Sequence, residues 1–289
     1  MDIITVFERF PTQQACIDHL ENARWGDSPV CPFCGSDSVA RKRENDRVGR
    51  WNCHKCHNSY NVLTGTIFKG TRMPLQKWFL AIAILLNAKK SVSSYQLARD
   101  LNLNQPTAYR MAMQIRKAMV EDEVFLYGIV EADETYVGGK PRKSKRNDDD
   151  PPKRGRGTKK QPVLGAVARG GKVVAQPAKR VTGETLKAFL SKFVKADSTL
   201  LVTDEYSGYN RMGEWVPHFT INHAVAYAQG LIHTNTIEGF WSLVKRAIIG
   251  QHHHYSKEHA TAYIVEACYK YNNRHFDTFD SFLQGAVTG

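Results

Sequence analysis

Two pairs of cysteines near the start of the chain restrict its fold more than any other feature. "CPFCG" contains Cys31 and Cys34, "CHKCH" contains Cys53 and Cys56, and eighteen residues separate the two pairs. Each CxxC turn can supply two thiolates to a tetrahedral metal site, and an intervening hairpin brings two such turns together. We therefore predict a zinc ribbon with these four cysteines as the ligands. The alternative is a set of unrelated buried thiols.

The chain contains no pattern typical of a secretory signal or a membrane span. Several acidic residues interrupt the first twenty positions, and the longest apolar run is only Trp78 to Leu86. A membrane-spanning helix needs about 20 apolar residues, so this run is far too short. We expect a cytoplasmic location, where the reducing environment favours metal binding over disulfides for closely spaced cysteines.

The net charge favours an anionic partner. The 289 residues carry a formal charge of +12, and the isoelectric point is near 9.4. Half of this charge lies in residues 141–160, which contain nine Lys or Arg and three Asp. A run of this kind is typical of a solvated segment that binds phosphates without reading bases. The expected DNA contacts of this 140–160 loop are Arg142, Lys143, Lys145, Arg146, Lys153, Arg154 and Arg156.

The segment after the cysteines has the pattern of packed helices. Residues 75–88 are apolar on most faces and should form a buried helix. Residues 91–119 predict a helix ending near Leu101, a short turn, and a second helix beginning near Pro106. This arrangement resembles a helix-turn-helix, whose second helix would enter the DNA major groove with outward-facing cations. Those cations would be Arg110, Arg116 and Lys117. A plain three-helix packing module remains the alternative.

The second half of the chain has a mixed α/β pattern. Strand-like alternation begins near residue 124, and two further strands flank the Gly170-Gly171 turn. An amphipathic helix (182–194), a buried strand (198–204) and further helices from 235 and from 257 to 272 follow. This order predicts a ribonuclease-H-like sheet.

Three acidic residues occupy special positions in this predicted domain. Asp133 lies within the first strand, Asp204 ends a later strand, and Glu238 lies near the start of a helix. In a ribonuclease-H-like sheet the first and fourth strands are neighbours, so these carboxylates can converge. Converging carboxylates repel unless hard cations neutralise them, and two Mg²⁺ ions could then activate one oxygen and stabilise another.

The helix that carries Glu238 has a polar stripe. Asn235, Glu238, Ser242 and Lys245 recur at helical spacing beside an apolar stripe that includes Trp241. Taken alone, the stripe is equally typical of an amphipathic surface helix with solvated charges. The combination with the two aspartates favours a functional face.

The motifs "VEADETYVGGK", "VTDEYSGY" and "HTNTIEGFWSLVKR", behind "CPFCG" and "CHKC", resemble the DDE-type transposases of bacterial insertion sequences, in the insertion-sequence fifteen-ninety-five group. The resemblance runs from the cysteine pairs to about residue 280. It implies an N-terminal zinc ribbon (1–70) and a helix-turn-helix module (71–122) that bind the terminal repeats of the element. It also implies a ribonuclease-H-like catalytic domain (123–289) that cuts and joins DNA strands with two Mg²⁺ or Mn²⁺ ions.

The resemblance assigns roles to single residues. Asp133 and Asp204 match the two catalytic aspartates, and Glu238 with Lys245 matches the pattern of an acid followed seven positions later by lysine. Some members of the group carry Asn at the third ligand position, so Asn235 stays an alternative to Glu238. Lys245 and Arg246 are expected to contact DNA phosphates. A homodimer or larger oligomer is expected on DNA, because two ends must be handled together.

The sequence therefore predicts a DNA transposase, associated with the bacterial nucleoid when bound to DNA. Two other classes remain open. A DNA-binding regulator or domesticated, inactive transposase would keep the ribbon and the helices. A structure-specific nuclease of ribonuclease-H-like fold would share the acids but would not recognise terminal repeats.

Overall fold

The computed structural model describes residues 1–42, 48–121, 123–138, 160–221 and 232–288. These residues form two compact units. Residues 1–119 and 275–289 make up the first unit, and residues 120–274 make up the second. None of the helices in the described ranges is long and apolar enough to cross a membrane. The basic loop residues from Arg142 to Arg156 lie outside the described residues.

The first unit begins with two helices that the sequence did not predict, followed by a small antiparallel sheet. Thr12 caps the second helix by accepting a hydrogen bond from the backbone N–H of Ala15. The three strands pair in sequence order, and their core contains the tyrosine and tryptophan rings beside the cysteines. These elements are α1 (Ile3–Arg9), α2 (Gln13–Trp25), β1 (Val39–Arg41), β2 (Trp51–Cys53) and β3 (Ser59–Tyr60).

The rest of the first unit is helical and agrees with the predicted pattern. Ser93 and Asn104 cap the two helices of the 91–119 segment, and Asn102 takes the left-handed conformation in the turn between them. The 75–88 prediction is confirmed as a helix with most faces buried. The helices are α3 (Leu75–Asn87), α4 (Ser94–Leu101), α5 (Gln105–Lys117) and, from the C-terminal end of the chain, α9 (Phe279–Thr288).

The helix α9 lies in the first unit, where it packs against α2 and α3. Its Phe279 ring contacts the rings of Phe10 and Phe79, and Arg9 donates to Asp280 at 2.8 Å. The sequence had grouped residues 275–289 with the catalytic domain (123–289), whereas the structure packs them with the first unit. Nothing in the amphipathic pattern of α9 specifies which core it completes.

The second unit is built on a five-stranded sheet. Its strand order is β6-β5-β4-β7-β8, with β5 antiparallel to its two neighbours, β4 and β6, and with β7 and β8 parallel to β4. The strands are β4 (Leu126–Val137), β5 (Gln161–Ala168), β6 (Val173–Pro177), β7 (Val194–Asp204) and β8 (His218–Ile221). Numbered within this sheet, the order is 3-2-1-4-5, which is the ribonuclease-H-like arrangement, so the predicted fold class is confirmed.

Helices cover both faces of this sheet. The helix α6 (Gly183–Phe193), capped by Thr182, packs through Leu186, Phe189 and Leu190 on one face. The helices α7 (Asn235–Ala247) and α8 (Ala260–Asn272) pack on the other. Because side chains alternate along a strand, odd-numbered residues of β4 such as Val137 face α7, and even-numbered ones such as Val130 face α6. Asp133 therefore lies on the α7 face.

Candidate active site and metal centre

Asp133 and Asp204 are neighbours on adjacent parallel strands. In the register of β4 and β7, Ala132 pairs with Thr203, so the next residue of each strand is an aspartate. Adjacent strands lie about 4.8 Å apart, and paired residues point to the same face. The backbone N–H groups of Glu134 and Tyr206 donate to Asp133 at 2.7 Å and Asp204 at 3.1 Å. Both carboxylates are thus fixed at one edge of the α7 face.

The environment of Asp133 disfavours its negative charge. Burial, and then the charges of Glu134, Asp204 and Glu238, raise the pKa of Asp133 from 3.8 to about 7. The contribution from Glu238 means that this glutamate lies close enough to act on Asp133. A group of carboxylates with such mutual repulsion is a site that a divalent cation would relieve. Their oxygen atoms are the donors that hard metal ions prefer, although among the described residues only the four cysteines already lie close enough together to hold an ion.

The first turn of α7 presents both candidates for the third ligand. Asn235 and Glu238 are exposed, and the hydroxyl of Thr234 donates to Oε1 of Glu238 at 3.0 Å. Lys245 and Arg246 are exposed in the last turn of the same helix. Asn235 and Glu238 lie on the same turn of α7, three residues apart. The geometry does not decide between them, so each stays a prediction for the third ligand.

Gly165 allows α7 to approach the sheet beside the aspartates. It pairs with Asp133 across β4 and β5. A Cβ atom at this position would lie 2.4 Å from Cζ2 of Trp241 in α7. A residue with any side chain would therefore push α7 away from the sheet next to the carboxylates.

Replacing Gly165 by alanine is expected to destabilise the protein by about 1–3 kcal/mol, because overpacking forces the indole or the helix to move. The matched control is Gly239→Ala in α7, where nothing lies within 4 Å of the added Cβ. That change should stabilise by up to about 1 kcal/mol, since alanine favours helix more than glycine. Urea unfolding of both variants measures the difference. Equal stabilities would contradict the close approach of α7.

A buried glutamate two residues before Asp133 holds the start of α7. Glu131 is fully buried, and its Oε2 accepts hydrogen bonds from the backbone N–H groups of Thr236 and Ile237 at 2.8 and 2.9 Å. The hydroxyl of Thr236 also donates to Oε1, at 2.8 Å. The first N–H groups of a helix lack partners within the helix, and a carboxylate there also suits the helix dipole. Glu131 thus fixes the turn that carries Asn235 and Glu238.

Two basic side chains complete the environment of Glu131. Nε of Arg169 donates to Oε1 of Glu131 at 2.6 Å, and Nδ1 of His233 lies 3.2 Å from the same oxygen. Arg169 also donates to the backbone carbonyl of His233 at 2.9 Å. The sequence alone gives no role for Glu131, although its place two residues before Asp133 on a strand implies that both side chains share a face. Its partners lie too far along the chain to be inferred.

The four cysteines of the first unit form one compact cluster. Their sulfur atoms all lie within 4.8 Å of one another, with Cys31 to Cys56 and Cys34 to Cys53 both at 3.6 Å. A tetrahedral site with Zn–S bonds of about 2.3 Å requires S–S separations of about 3.8 Å, so the cluster fits zinc.

Hydrogen bonds favour the thiolate forms of two of these cysteines. The backbone and the side-chain amide of Asn58 lower the pKa of Cys56 to about 6, and the backbone N–H of Cys56 lowers the pKa of Cys53. Donors that point at sulfur are the outer-shell contacts expected around a structural metal site. The predicted ligand set is thus a set of residues able to hold zinc.

Two family models match the chain, one in each unit. The family model of the ISXO2-like transposase domain matches residues 125–272, just over half of the chain. The chain belongs to the ISXO2-like transposase family. The model of the transposase zinc-ribbon domain matches residues 11–59, which contain all four cysteines. The two matches fall in the second and first units of this transposase, respectively.

Two curated relatives of this transposase are similar in sequence. A Halobacterium salinarum protein, named as an uncharacterized protein in transposable element ISH50, is 29% identical over 268 residues, covering 88% of this chain and 89% of the relative. An uncharacterized transposase-like protein of Haemophilus influenzae is 29% identical over 119 residues, covering 41% of this chain and 95% of the relative.

Solved structures of Mos1 transposase are also similar, at a low level. The Mos1 strand transfer complex gives a TM-score of 0.30 at 15% identity, covering 72% of this chain and 73% of that one. The Mos1 paired-end complex with the left transposon end gives a TM-score of 0.25 at 14% sequence identity, covering 68% of this chain and 76% of that one. The family of this transposase follows from the sequence matches.

The structure corrects one predicted DNA contact of this transposase. Arg116 does not face outward: it is 2% exposed, and Nη2 donates to the Val92 carbonyl at 3.4 Å and to the Ser91 hydroxyl at 3.3 Å. The physical reason is the helical repeat, since Arg116 follows the buried Ala108 and Ala112 at steps of four residues. Its guanidinium fixes the loop before α4. Arg110 and Lys117 are exposed on α5, and their DNA contacts stay a prediction.

Removing the zinc of this transposase is expected to unfold the ribbon, because metal binding supplies about 10–16 kcal/mol of folding free energy in small zinc domains. Wild-type protein should contain one zinc per chain by atomic emission. Cys53→Ser should contain almost no zinc, and the backbone amides of β1–β3 should lose their protection from hydrogen exchange. Cys268→Ala, which removes a thiol outside the cluster, is the control and should retain full zinc content. Zinc retained at wild-type affinity in Cys53→Ser would refute a four-cysteine site.

Proposed function

We propose that this transposase binds the ends of its insertion sequence and catalyses phosphodiester hydrolysis followed by DNA strand transfer. The observation that carries the proposal is the pair Asp133 and Asp204, adjacent on parallel strands, with the charge of Glu238 acting on Asp133. Residues 1–122 would contact the ends, and the domain from residue 123 would perform the chemistry. Because two ends must be handled together, we propose a homodimer or larger oligomer on DNA.

Asp133, Asp204 and Glu238 would hold two Mg²⁺ or Mn²⁺ ions, with Asn235 as the alternative to Glu238. When bound, such ions supply Lewis-acid stabilisation of the attacking and leaving oxygens of an in-line displacement. We favour Glu238 because a carboxylate binds Mg²⁺ more strongly than an amide does. Asn235 would then orient a phosphate or a water molecule.

The remaining residues would position DNA. Lys245 and Arg246, exposed at the end of α7, would contact phosphates flanking the scissile bond. Glu131 would keep α7 in place while DNA binds. The attacking group would be water in the first step and the freed 3′ hydroxyl in the second, with no covalent bond to the protein. Positioning and electrostatics would supply most of the rate.

The test uses DNA that spans one end of the element around this gene, with zinc-loaded protein and Mg²⁺. Binding and cleavage are measured separately for wild type, Asp204→Asn, Glu238→Gln and Asn235→Ala, with the exposed Asp197→Asn as the control. We expect Asp204→Asn and Glu238→Gln to bind the end without cutting it, and Asp197→Asn to cut at the wild-type rate.

Other outcomes would change the proposal in defined ways. Cutting by Glu238→Gln together with loss of cutting in Asn235→Ala would make Asn235 the third ligand. End binding by folded wild type without any cutting would indicate a regulator or a domesticated transposase. Cutting of any branched DNA without preference for the element's end would indicate a structure-specific nuclease.

A further inference from the structure

A basic cleft lies in the first unit, between α5 and the segment 67–73 that precedes α3. Its volume is about 480 Å³. Three cations, Lys69, Arg72 and Arg110, line it and are exposed, and no Asp or Glu lies among its lining residues. We call this the α5 cleft. Its net charge makes it a site for an anion.

Two cations of the α5 cleft, Lys69 and Arg110, are available for a ligand. Within the part of the chain that the structure describes, neither Lys69 nor Arg110 forms an ion pair with an acidic side chain, whereas Arg41 pairs with Glu21 and Arg211 with Glu214. Like charges held together in a concave surface repel each other and produce a focused positive field. An anionic partner would relieve this repulsion.

The segment that carries Lys69 and Arg72 is anchored. Phe68 is fully buried and packs edge-on against Trp78 at 5.2 Å between ring centroids. The hydroxyl of Thr71 accepts hydrogen bonds from the indole Nε1 of Trp78 at 2.9 Å and from the backbone N–H of Met73 at 3.1 Å. The backbone that carries the two cations is therefore held in place before any ligand arrives, which lowers the entropic cost of binding.

The side chains that line the α5 cleft suit a strand of nucleic acid. Thr107, Arg110 and Gln114 lie one turn apart along α5 and present hydroxyl, guanidinium and amide donors to the cleft. Met111, which is buried, and Ile67 add apolar surface. Phosphates can contact the rim cations while the sugar carbons between them contact the apolar atoms. The cleft has the volume of a typical binding site for a molecule much larger than one free phosphate ion.

We propose that the α5 cleft holds the sugar-phosphate backbone of one DNA strand, with Lys69, Arg72 and Arg110 as the phosphate contacts. This inference rests on the proposed function and extends it to two residues outside the helix-turn-helix pattern. These two residues also replace Arg116 as predicted DNA contacts, because the Arg116 side chain is buried. Because phosphate contacts carry no sequence information, the cleft contributes affinity and orientation equally to terminal-repeat and unrelated DNA.

The test compares two double variants with the same loss of charge. Lys69→Gln/Arg110→Gln removes two cleft cations, and Lys89→Gln/Lys90→Gln removes two exposed cations from the loop after α3. Affinity for an element-end duplex and for an unrelated duplex is measured by fluorescence anisotropy between 50 and 300 mM salt. Unchanged zinc content and near-UV circular dichroism confirm that each variant is folded.

We expect the cleft variant to bind both duplexes more weakly, with the slope of log K against log salt reduced in magnitude by about 2, because each lost phosphate contact removes about 0.9. The control should keep the wild-type slope within about 0.5. A wild-type slope in the cleft variant, with intact DNA binding, would overturn the cleft proposal alone. Absence of DNA binding by folded wild type would instead reject the proposed function. Tighter binding of duplex RNA, weakened by the same variant, would also overturn the cleft as a DNA site.

Discussion

Replacing Asp133 by asparagine is expected to make the protein more stable at pH 8 while abolishing DNA cleavage. Burial and the nearby carboxylates raise the pKa of Asp133 from 3.8 to about 7. The folded protein therefore binds a proton that the unfolded chain releases between about pH 4 and pH 7. Below this window the carboxyl is protonated in both states and costs nothing. As the pH rises from about 4 to about 7, the free energy of unfolding of the wild type falls, and that of the asparagine variant does not.

The raised pKa of Asp133 corresponds to a loss of at most about 4 kcal/mol in the free energy of unfolding at pH 8. Relaxation around the site should reduce the measured loss to about 2–3 kcal/mol. Chemical denaturation of zinc-loaded protein without Mg²⁺, at pH 5 and pH 8, measures it. The gain from Asp133→Asn should be larger at pH 8. The exposed Asp197→Asn should change stability by less than about 0.5 kcal/mol at both pH values.

Added Mg²⁺ provides an independent check on the same residue. A cation that binds only the folded state stabilises it by mass action, so the wild type should gain stability with increasing Mg²⁺. Asp133→Asn should gain little. A variant that is no more stable than wild type at pH 8, or that responds equally to Mg²⁺, would contradict the assignment of Asp133 to a cation site.

Replacing Glu131 by glutamine is expected to cost about 3–5 kcal/mol of stability, because it leaves the half-buried Arg169 beside a neutral partner and weakens the cap on α7. The Glu131 side chain accepts from two backbone N–H groups of α7, the Thr236 hydroxyl and Arg169. The amide can accept fewer of these bonds and must place its own N–H₂ group among donors. The matched control is Glu184→Gln, an exposed acid in the first turn of α6, which should cost less than about 1 kcal/mol.

A double-mutant cycle distinguishes a coupled pair from two separate losses. If Glu131 and Arg169 stabilise each other, Glu131→Gln/Arg169→Met should be at least about 1 kcal/mol more stable than the sum of the single changes predicts. Where the Glu131 variant remains folded, DNA cleavage should fall much more than DNA binding, since α7 carries both residues proposed as the third ligand. A Glu131 variant as stable as the Glu184 variant would show that α7 is held by other contacts.

The sequence was sufficient to predict those features whose cause is local. The CxxC spacing identified the zinc ribbon, and the alternation around Asp133 identified the first strand of the sheet. The role of Arg116 was predicted wrongly because a long cation on a helix was assumed to be solvated, although its spacing from Ala112 places it on the buried face. The side chain reaches back to a loop carbonyl that sequence spacing does not indicate.

The parts that could not be predicted depend on distant pairs. Glu131 meets Thr236 across 105 positions and Arg169 across 38, so no window of local sequence contains both partners. The role of Gly165 depends on the position of Trp241 in another element. The α5 cleft likewise requires that the 67–73 segment lies beside α5, which follows from the burial of Phe68 and not from any periodicity.

The place of α9 has a consequence for how the chain matures. The first unit contains residues from both ends of the sequence, with the second unit inserted between them. As the ribosome releases the chain from the N-terminus, α2 and α3 emerge early, but Phe279 and Leu283 of α9 become available to pack against them only after the whole second unit has been synthesised. A nascent or prematurely terminated chain therefore exposes an unfinished apolar surface at its zinc-bearing end, where chaperones or proteases would recognise it. Synthesis through α9 thus becomes a condition for a complete core of the first unit.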